Sequence, residues 1–424
     1  MFEQIKLKNG IQAIYVPVAG TKAVTVLVLC RVGSRYETRK LNGASHFIEH
    51  LMFKGTERRP TTLDISQELD SVGAEYNAAT SKDWTGYFIK SSSDHLNLSL
   101  DMLSDILWHS KFSKDEFMRE KGVIIEEINM YQDNPLLYLD DLLESVMFPQ
   151  STLGWDIAGT REIVEKMKHR DLVSFRDQFY QPENTVLIIA GNLGRSKTLA
   201  PKYFAGLAPK VEKKPGKYKK FTSFKKGARP RCKIKYKKTE QVHLGIGFPG
   251  FPHEHKDLPA LQLVHVVLGA TMSSRLFIAI REREGLAYYV RSSVDPYEDT
   301  GIFSIRAGLD PSRFAQASGI LKNEIAKFKK EGVTREEFKR AKEYIKGKLQ
   351  LALEDSASQA EFYGKQALLM KKIKTPAQRL AEINRVKRSD IIRVSRKIFD
   401  WRRAGIAVIG PYKNTSEILK YFSK

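Results

Sequence analysis

His46 and His50, separated by Phe47, Ile48 and Glu49, form an H-x-x-E-H pentapeptide within the run NGASHFIEHLMFKGT. The run reads as a helix, on which positions four apart share a face, so the two imidazoles project side by side. Two neutral imidazoles in that arrangement can hold one Zn²⁺ at about 2.0–2.1 Å. Glu49 lies three residues after His46 on nearly the same face, where it can reach a water at the metal without ligating it. The chemistry open to such a set is metal-assisted hydrolysis. A catalytic zinc also needs a third protein ligand and leaves its fourth position to water, so the chain must offer a further donor.

Residues 115–135 offer it. The segment is helical in pattern and carries Glu120, Glu126 and Glu127. Glu120 and Glu127 are seven apart, two helical turns, and share a face. Glu126 points about 100° away from Glu127. Three glutamates on a helix are usually a solvated face, but Val123, Ile124, Ile125 and Ile128 beside them point to a largely buried helix. A buried carboxylate needs a partner or a metal. From the residues alone both Glu126 and Glu127 remain open as the ligand.

The stretches GASHFIEHLMFKGT, GAEYNAATSKDWTGYF, EKGVIIEEI, GTREIVEKMKHRDLVSFRDQFYQPENTVLIIAGN and LGATMSSRLFIAIREREGLAYYV together resemble the pitrilysin family of zinc metallopeptidases, the processing-peptidase-like inverzincins, over nearly the full length. The resemblance implies His46, His50 and Glu127 as ligands of one zinc per chain, Glu49 as catalytic base and Glu120 as a supporting carboxylate. Glu127 is preferred to Glu126 because the step from Glu120 fits the family's E-x6-E pattern. The resemblance also implies that Arg281 and Tyr288 hold substrate and stabilise the transition state, and that Asn77, Ala78 and Ala79 lie on a strand edge that binds extended peptide. Trp84 stands where many relatives carry a smaller or more polar residue. The implied fold is α+β: two homologous domains of the LuxS/MPP-like metallopeptidase type, each a mixed, mainly antiparallel sheet with helices packed on it. The implied activity is endoproteolysis of oligopeptides or unfolded polypeptides inside a dimeric clamshell, built as a homodimer or with a homologous second chain.

Elements that could position these residues appear twice. SKDEFMREK from Ser113 recurs as TREEFKRAK from Thr334, and KHRDL from Lys168 as KRSDI from Lys387. Each copy ends in an apolar strand closing on glycine, ENTVLIIAGN and RAGIAVIGP. Strand runs AVTVLVLCRVG and GYFIKS belong to the first copy, VHLGIGFPG and GIFSIRAGL to the second. Strands mixed with helices and hairpins indicate an α+β sheet rather than a doubly wound parallel one. The N-terminus reads as a hairpin about Asn9-Gly10, and Thr62 reads as a helix cap. A position 221 residues beyond Glu127 is Lys348, and no H-x-x-E-H occurs in the second copy. That copy is therefore expected to be a non-catalytic partner, with His265 a packing residue. The expected division is a catalytic domain 1–210, a basic Gly/Pro/Lys linker 211–228 and an inactive homologous domain 229–424.

Composition bounds the rest. With 424 residues the chain is long enough for two ordinary domains. No apolar run reaches the length of a membrane span, and Cys30 and Cys232 form no metal-ligand spacing, which fits a reducing cytoplasm. The net charge is +22, and residues 202–238 hold fifteen lysines and arginines against one acid, Glu212. No nucleic-acid motif accompanies them, and Tyr218, Phe221 and Phe224 are too few for a stacking platform. The stretch is read as a solvated linker followed by an exposed edge strand whose lysines deter aggregation. Peptide substrates are the expected partners, and membrane and nucleic acid are not.

Overall fold

A computed structural model describes residues 2–209, 211–212 and 214–422. Two sheets carry the fold. The first has six strands: β1 (Glu3–Lys6), β2 (Gln12–Pro17), β3 (Ala23–Cys30), β4 (Glu75–Thr80), β5 (Thr85–Ser92) and β6 (Thr185–Gly191), in the order β1-β2-β6-β3-β5-β4. The second has five: β7 (Arg231–Tyr236), β8 (Val242–Pro249), β9 (Ala287–Pro296), β10 (Gly301–Leu309) and β11 (Gly405–Gly410), in the order β7-β11-β8-β10-β9. Each contains one parallel pair, β2 with β6 and β7 with β11, and is otherwise antiparallel. All four quoted strand runs and both glycine-closed strands are present. β1 and β2 form the expected hairpin, with Lys6 opposite Gln12 and Gly10 in the turn.

The first copy supplies α1 (Ala44–Met52), α2 (Thr62–Asp70), α3 (Leu96–Trp108), α4 (Lys114–Asp133), α5 (Pro135–Met147), α6 (Arg161–Lys166), α7 (His169–Phe179) and α8 (Ser196–Phe204). The second supplies α9 (Leu258–His265), α10 (Phe314–Glu331), α11 (Arg335–Ala352), α12 (Ser356–Leu369), α13 (Pro376–Arg385), α14 (Arg388–Ile398) and α15 (Thr415–Phe422). The cap of α2 is Thr61, not Thr62. Its hydroxyl accepts from Asp64 N while the Asp64 carboxylate accepts from Thr61 N, a capping box that starts the helix one residue earlier than the sequence suggested.

The compact units cut across the two copies. One comprises residues 1–129, 155–219 and 349–375; the other comprises 130–154, 220–348 and 376–424. The helices that follow α4 and α11 are exchanged: α12 lies on β3 and β6 of the first sheet, and α5 on β8 and β11 of the second. In the first unit Val24, Val26, Val28, Tyr87 and Ile89 face α1, α3 and α4, while Leu27, Leu29, Val186 and Ile188 on the other face meet Ala360, Tyr363 and Leu368 of α12. Alternation along β3 thus feeds two cores, which is why its run reads as almost continuously apolar.

Linker lysines 217, 219, 220, 225 and 226 are exposed, and β7 is an edge strand with Lys233 and Lys235 exposed, as the charge pattern suggested. The linker aromatics are anchors. Tyr218 lies under the Arg35 guanidinium at 3.8 Å in the first unit, and Phe221 and Phe224 pack on Phe148 at 5.1 and 5.4 Å in the second. Lys210 and Lys213 lie outside the described residues. Both cysteines are unpaired. Among the described residues no helix is long and apolar enough to cross a membrane.

Candidate metal centre

α1 begins at Gly43, whose φ of +98° is left-handed, and a Cβ there would lie 2.5 Å from Ala158 O. Only glycine fits both constraints. Buried Glu37 sits over this helix start. One oxygen accepts from Gly43 N at 2.8 Å and Asn42 Nδ2 at 3.1 Å, the other from Ser45 N at 2.8 Å. Gly43 N and Ser45 N are among the amides a helix start leaves unsatisfied, so a carboxylate is well placed there. Burial nonetheless pushes the Glu37 carboxyl up from its ordinary value, against those hydrogen bonds.

Phe47, Ile48, Leu51 and Met52 form the buried side of α1. Phe47 stacks on Phe117 of α4 at 5.0 Å and 8°, which brings the glutamate helix alongside the histidine helix. α4 is less buried than its apolar run suggested. Phe117, Glu120, Ile124 and Ile128 line its covered face, but Val123 is 47% exposed. One turn presents only one face to a neighbour, and Val123 falls outside it.

The histidine side of α1 meets that covered face. Glu127 Oε2 stands 3.5 Å from His46 Nε2 and 3.3 Å from His50 Nε2. One donor atom from each of the three residues can be chosen so that all lie within 4.8 Å of one another. Tetrahedral zinc with bonds of about 2.0–2.1 Å separates neighbouring donors by roughly 3.3–3.5 Å. The two nitrogen–carboxylate distances match that spacing, and an N/N/O donor set is one zinc accepts, so these residues fit the ion. The side chains are 12, 20 and 25% exposed, so the centre is open on one side, as a reacting site requires. Glu126 is exposed and turned away, with Asn129 Nδ2 at 3.4 Å.

Glu120, only 2% exposed, places Oε2 3.0 Å from His50 Nδ1, and Lys54 Nζ lies 2.7 Å from its Oε1. Glu120 is the supporting carboxylate of the motif reading, and its contact is with His50: an Nδ1–H donated to a carboxylate would leave Nε2 for a metal. Burial works to lower the His50 pKa, but hydrogen bonds to Glu120 and Glu127 outweigh it and hold it up at about 9. Hydrogen bonding to His46 and then to His50 holds Glu127 far below the carboxylate range. Glu120 is also lowered, because its bonds to His50 and Lys54 overcome the opposing effect of burial. His46 is held differently: its Nδ1 is buried without a hydrogen-bond partner, and its ring packs edge-on to His50 at 4.7 Å.

Glu49 accepts a short hydrogen bond from Thr80 Oγ1. Thr80 ends β4, the edge strand of the first sheet, which pairs with β5 alone. Asn77 and Ala79 are exposed on this edge and Ala78 is half-buried. Beside them Trp84 folds over Gly86, where a Cβ would lie 3.2 Å from the indole. Together with Leu27, Leu29, Phe88 and Lys365 it lines a cleft of about 300 Å³. Lys365 Nζ is 4.6 Å from the indole centroid, a cation–π contact.

Arg281 and Tyr288 belong to the second unit. Both are exposed, Tyr288 at 73%, with the guanidinium 5.9 Å from the Tyr288 ring. His265 is a packing residue as expected, with Nδ1 2.9 Å from Ser292 Oγ, and burial pushes it down to about 4. Glu37, Lys54 and the Thr80 hydrogen bond are functional-site features that the motif reading did not supply. For Lys54 a signal existed: it is four residues beyond His50, one more step along the same face.

Removing a ligand should differ sharply from removing its neighbour. Glu127→Ala is expected to lower zinc affinity steeply, while Glu126→Ala leaves it close to wild type, as read by competition against a chromophoric chelator. The reverse pattern would move the ligand by one position.

Comparisons with known proteins identify the relatives of this chain. The model of the insulinase peptidase family M16 matches residues 14–161, and that of the peptidase M16 inactive domain matches 166–345. The chain is 35% identical over 418 residues to a protein of Bacillus subtilis strain 168 called uncharacterized zinc protease YmxG, covering 98% of this chain and 99% of that one. It is 33% identical over 421 residues to the uncharacterized zinc protease SCO5738 of Streptomyces coelicolor, covering 96% and 89%. Among solved structures, a protease from Helicobacter pylori superposes with a TM-score of 0.91 at 25% identity, covering 97% and 99%. The fold and the match define a class, zinc proteases of two mixed α/β units. This chain belongs to peptidase family M16, the insulinase or pitrilysin family.

Proposed function

We propose that the chain is a zinc metalloendopeptidase that hydrolyses peptide bonds in oligopeptides and unfolded polypeptides. The observation that carries this reading is a His/His/Glu donor set at zinc spacing with Glu49 beside it, tied through Thr80 to an unpaired strand edge. An extended peptide can add to β4 through main-chain hydrogen bonds, which tolerate varied side chains. His46, His50 and Glu127 would hold the ion, and His50 is kept in the ligating tautomer by Glu120. Zinc, when bound, supplies a Lewis acid and lowers the pKa of water toward neutrality. Glu49 takes the proton of the attacking water and passes it to the leaving amine. Thr80, by donating to Glu49, fixes where that carboxylate stands relative to a peptide on the same strand. Arg281 holds a substrate carbonyl with its forked N–H groups, and the Tyr288 hydroxyl donates to the oxyanion as it forms.

The chain works as a dimer in this reading, closing like a clamshell so that the zinc-bearing unit of one copy faces the second unit of the other. The free cysteines are compatible with a cytoplasmic setting. A chamber excludes folded proteins, because a strand can be added only where the substrate backbone is free. A small protein in reduced, carboxymethylated form is therefore expected to be cut, and the same protein in its native form to be spared. Equal rates on both, measured by fragment release, would contradict the chamber.

A further inference from the structure

His46, His50 and Lys54 follow one another at four-residue steps, so the lysine continues the histidine face just past the end of α1. Its ammonium takes one oxygen of Glu120 at 2.7 Å, and His50 Nδ1 takes the other at 3.0 Å. Each oxygen of this almost fully buried carboxylate is thereby committed to a different partner. The turn that carries Lys54 is fixed along its length. Lys54 N donates to Leu51 O at 3.2 Å, and Lys111 N to Gly55 O at 3.0 Å. Gly55 has φ +114°, and a Cβ there would lie 2.3 Å from Pro60 O, so no other residue fits. Thr56 N donates to Arg59 O at 2.7 Å, and Thr56 Oγ1 to the fully buried Asp105 at 2.7 Å. The lysine therefore reaches Glu120 from an anchored backbone.

Charge gives the contact a purpose. Glu120 and Glu127 both bear on His50, and Lys54 is the cation that pairs with the more deeply buried of the two carboxylates. A buried carboxylate deprived of its cation turns toward water or recruits a different donor, because its desolvation is no longer offset. Glu120 would then stop orienting the imidazole.

We infer that Lys54 is a positioning residue of the metal centre, locking Glu120 in the place from which it orients His50. The inference rests on the zinc reading above. Loss of an outer partner of a metal-ligating histidine typically costs about 10–100-fold in metal affinity. The test measures zinc dissociation constants by chelator competition for wild type, Lys54→Met, Lys54→Arg, Glu120→Gln and the Lys54→Met/Glu120→Gln double variant. Lys54→Met is expected to bind zinc about 10–100-fold more weakly. Lys54→Arg, which keeps the cation, should restore most of that loss. In the Glu120→Gln background Lys54→Met should add nothing, because residues acting through one another are not additive.

Wild-type affinity in Lys54→Met overturns the inference. So do losses that multiply in the double variant, since Lys54 would then act independently of Glu120. A merely structural lysine would lower the thermal midpoint of the chelated protein without this non-additivity in zinc affinity. Should Lys54→Met fail to fold, Lys54→Gln takes its place in the same cycle with the same outcomes. A wild-type chain that takes up no zinc would instead overturn the metal reading itself, so the two failures are distinguishable.

Discussion

Glu49→Gln is expected to purify with its zinc and to lose at least about 10²–10⁴-fold in turnover, the range associated with loss of a general acid–base. The reasoning is geometric. The donor set at zinc spacing consists of His46, His50 and Glu127, with Glu49 outside it. Glutamine has the same size, and its amide oxygen can still accept from Thr80, so α1 and the end of β4 keep their relation. What disappears is a group that can take a proton and return it. Zinc content by atomic absorption and turnover on an unfolded peptide read the two halves of the prediction separately. A variant lacking stoichiometric zinc would make Glu49 a ligand, and one cleaving near the wild-type rate would remove it from the chemistry.

The second large effect concerns two copies of the chain. Arg281→Ala and Glu49→Gln should each be severely impaired as pure dimers. Co-expressed, they form mixed dimers in which the Arg281→Ala copy supplies an intact zinc site and the Glu49→Gln copy an intact Arg281. If Arg281 serves the partner's zinc, each mixed dimer has one whole site of two, and half the dimers are mixed. A random mixture then recovers about a quarter of wild-type activity by the arithmetic of a two-fold assembly. If each chain used its own Arg281, no mixed dimer would hold a whole site. Failure to recover activity, with subunit exchange verified by differently tagged copies, would rule out sharing.

The parts of the centre legible in the sequence are those joined by local geometry. His46, Glu49 and His50 lie within one helical turn, and Glu120 and Glu127 are two turns apart on one face, so periodicity alone orients them. What periodicity lacks is the partner. Glu37 caps α1 from six residues before Gly43, across an irregular turn rather than at a cap position, and the Thr80 bond joins a helix to a strand 31 residues away. No local pattern specifies either. The exchange of α5 and α12 between sheets was hidden for a related reason. An amphipathic helix announces that it has an apolar face but not which sheet the face covers. Four aliphatic residues cluster in the α4 sequence and suggest a buried helix, although only Ile124 and Ile128 are fully covered, Ile125 is half-buried and Val123 is exposed. The linker was under-read, because its lysines dominate the composition while three aromatics do the anchoring.

The measurement that bears most directly on the central claim uses the wild-type chain alone: zinc per chain and hydrolysis of an unfolded peptide, before chelation, after it, and after one equivalent of zinc is restored. The account predicts about one zinc per chain, loss of hydrolysis on chelation and its return with the metal, in line with one three-residue donor set among the described residues. Hydrolysis that survives complete removal of the metal, or a fully zinc-loaded dimer that cleaves no unfolded peptide, would contradict it.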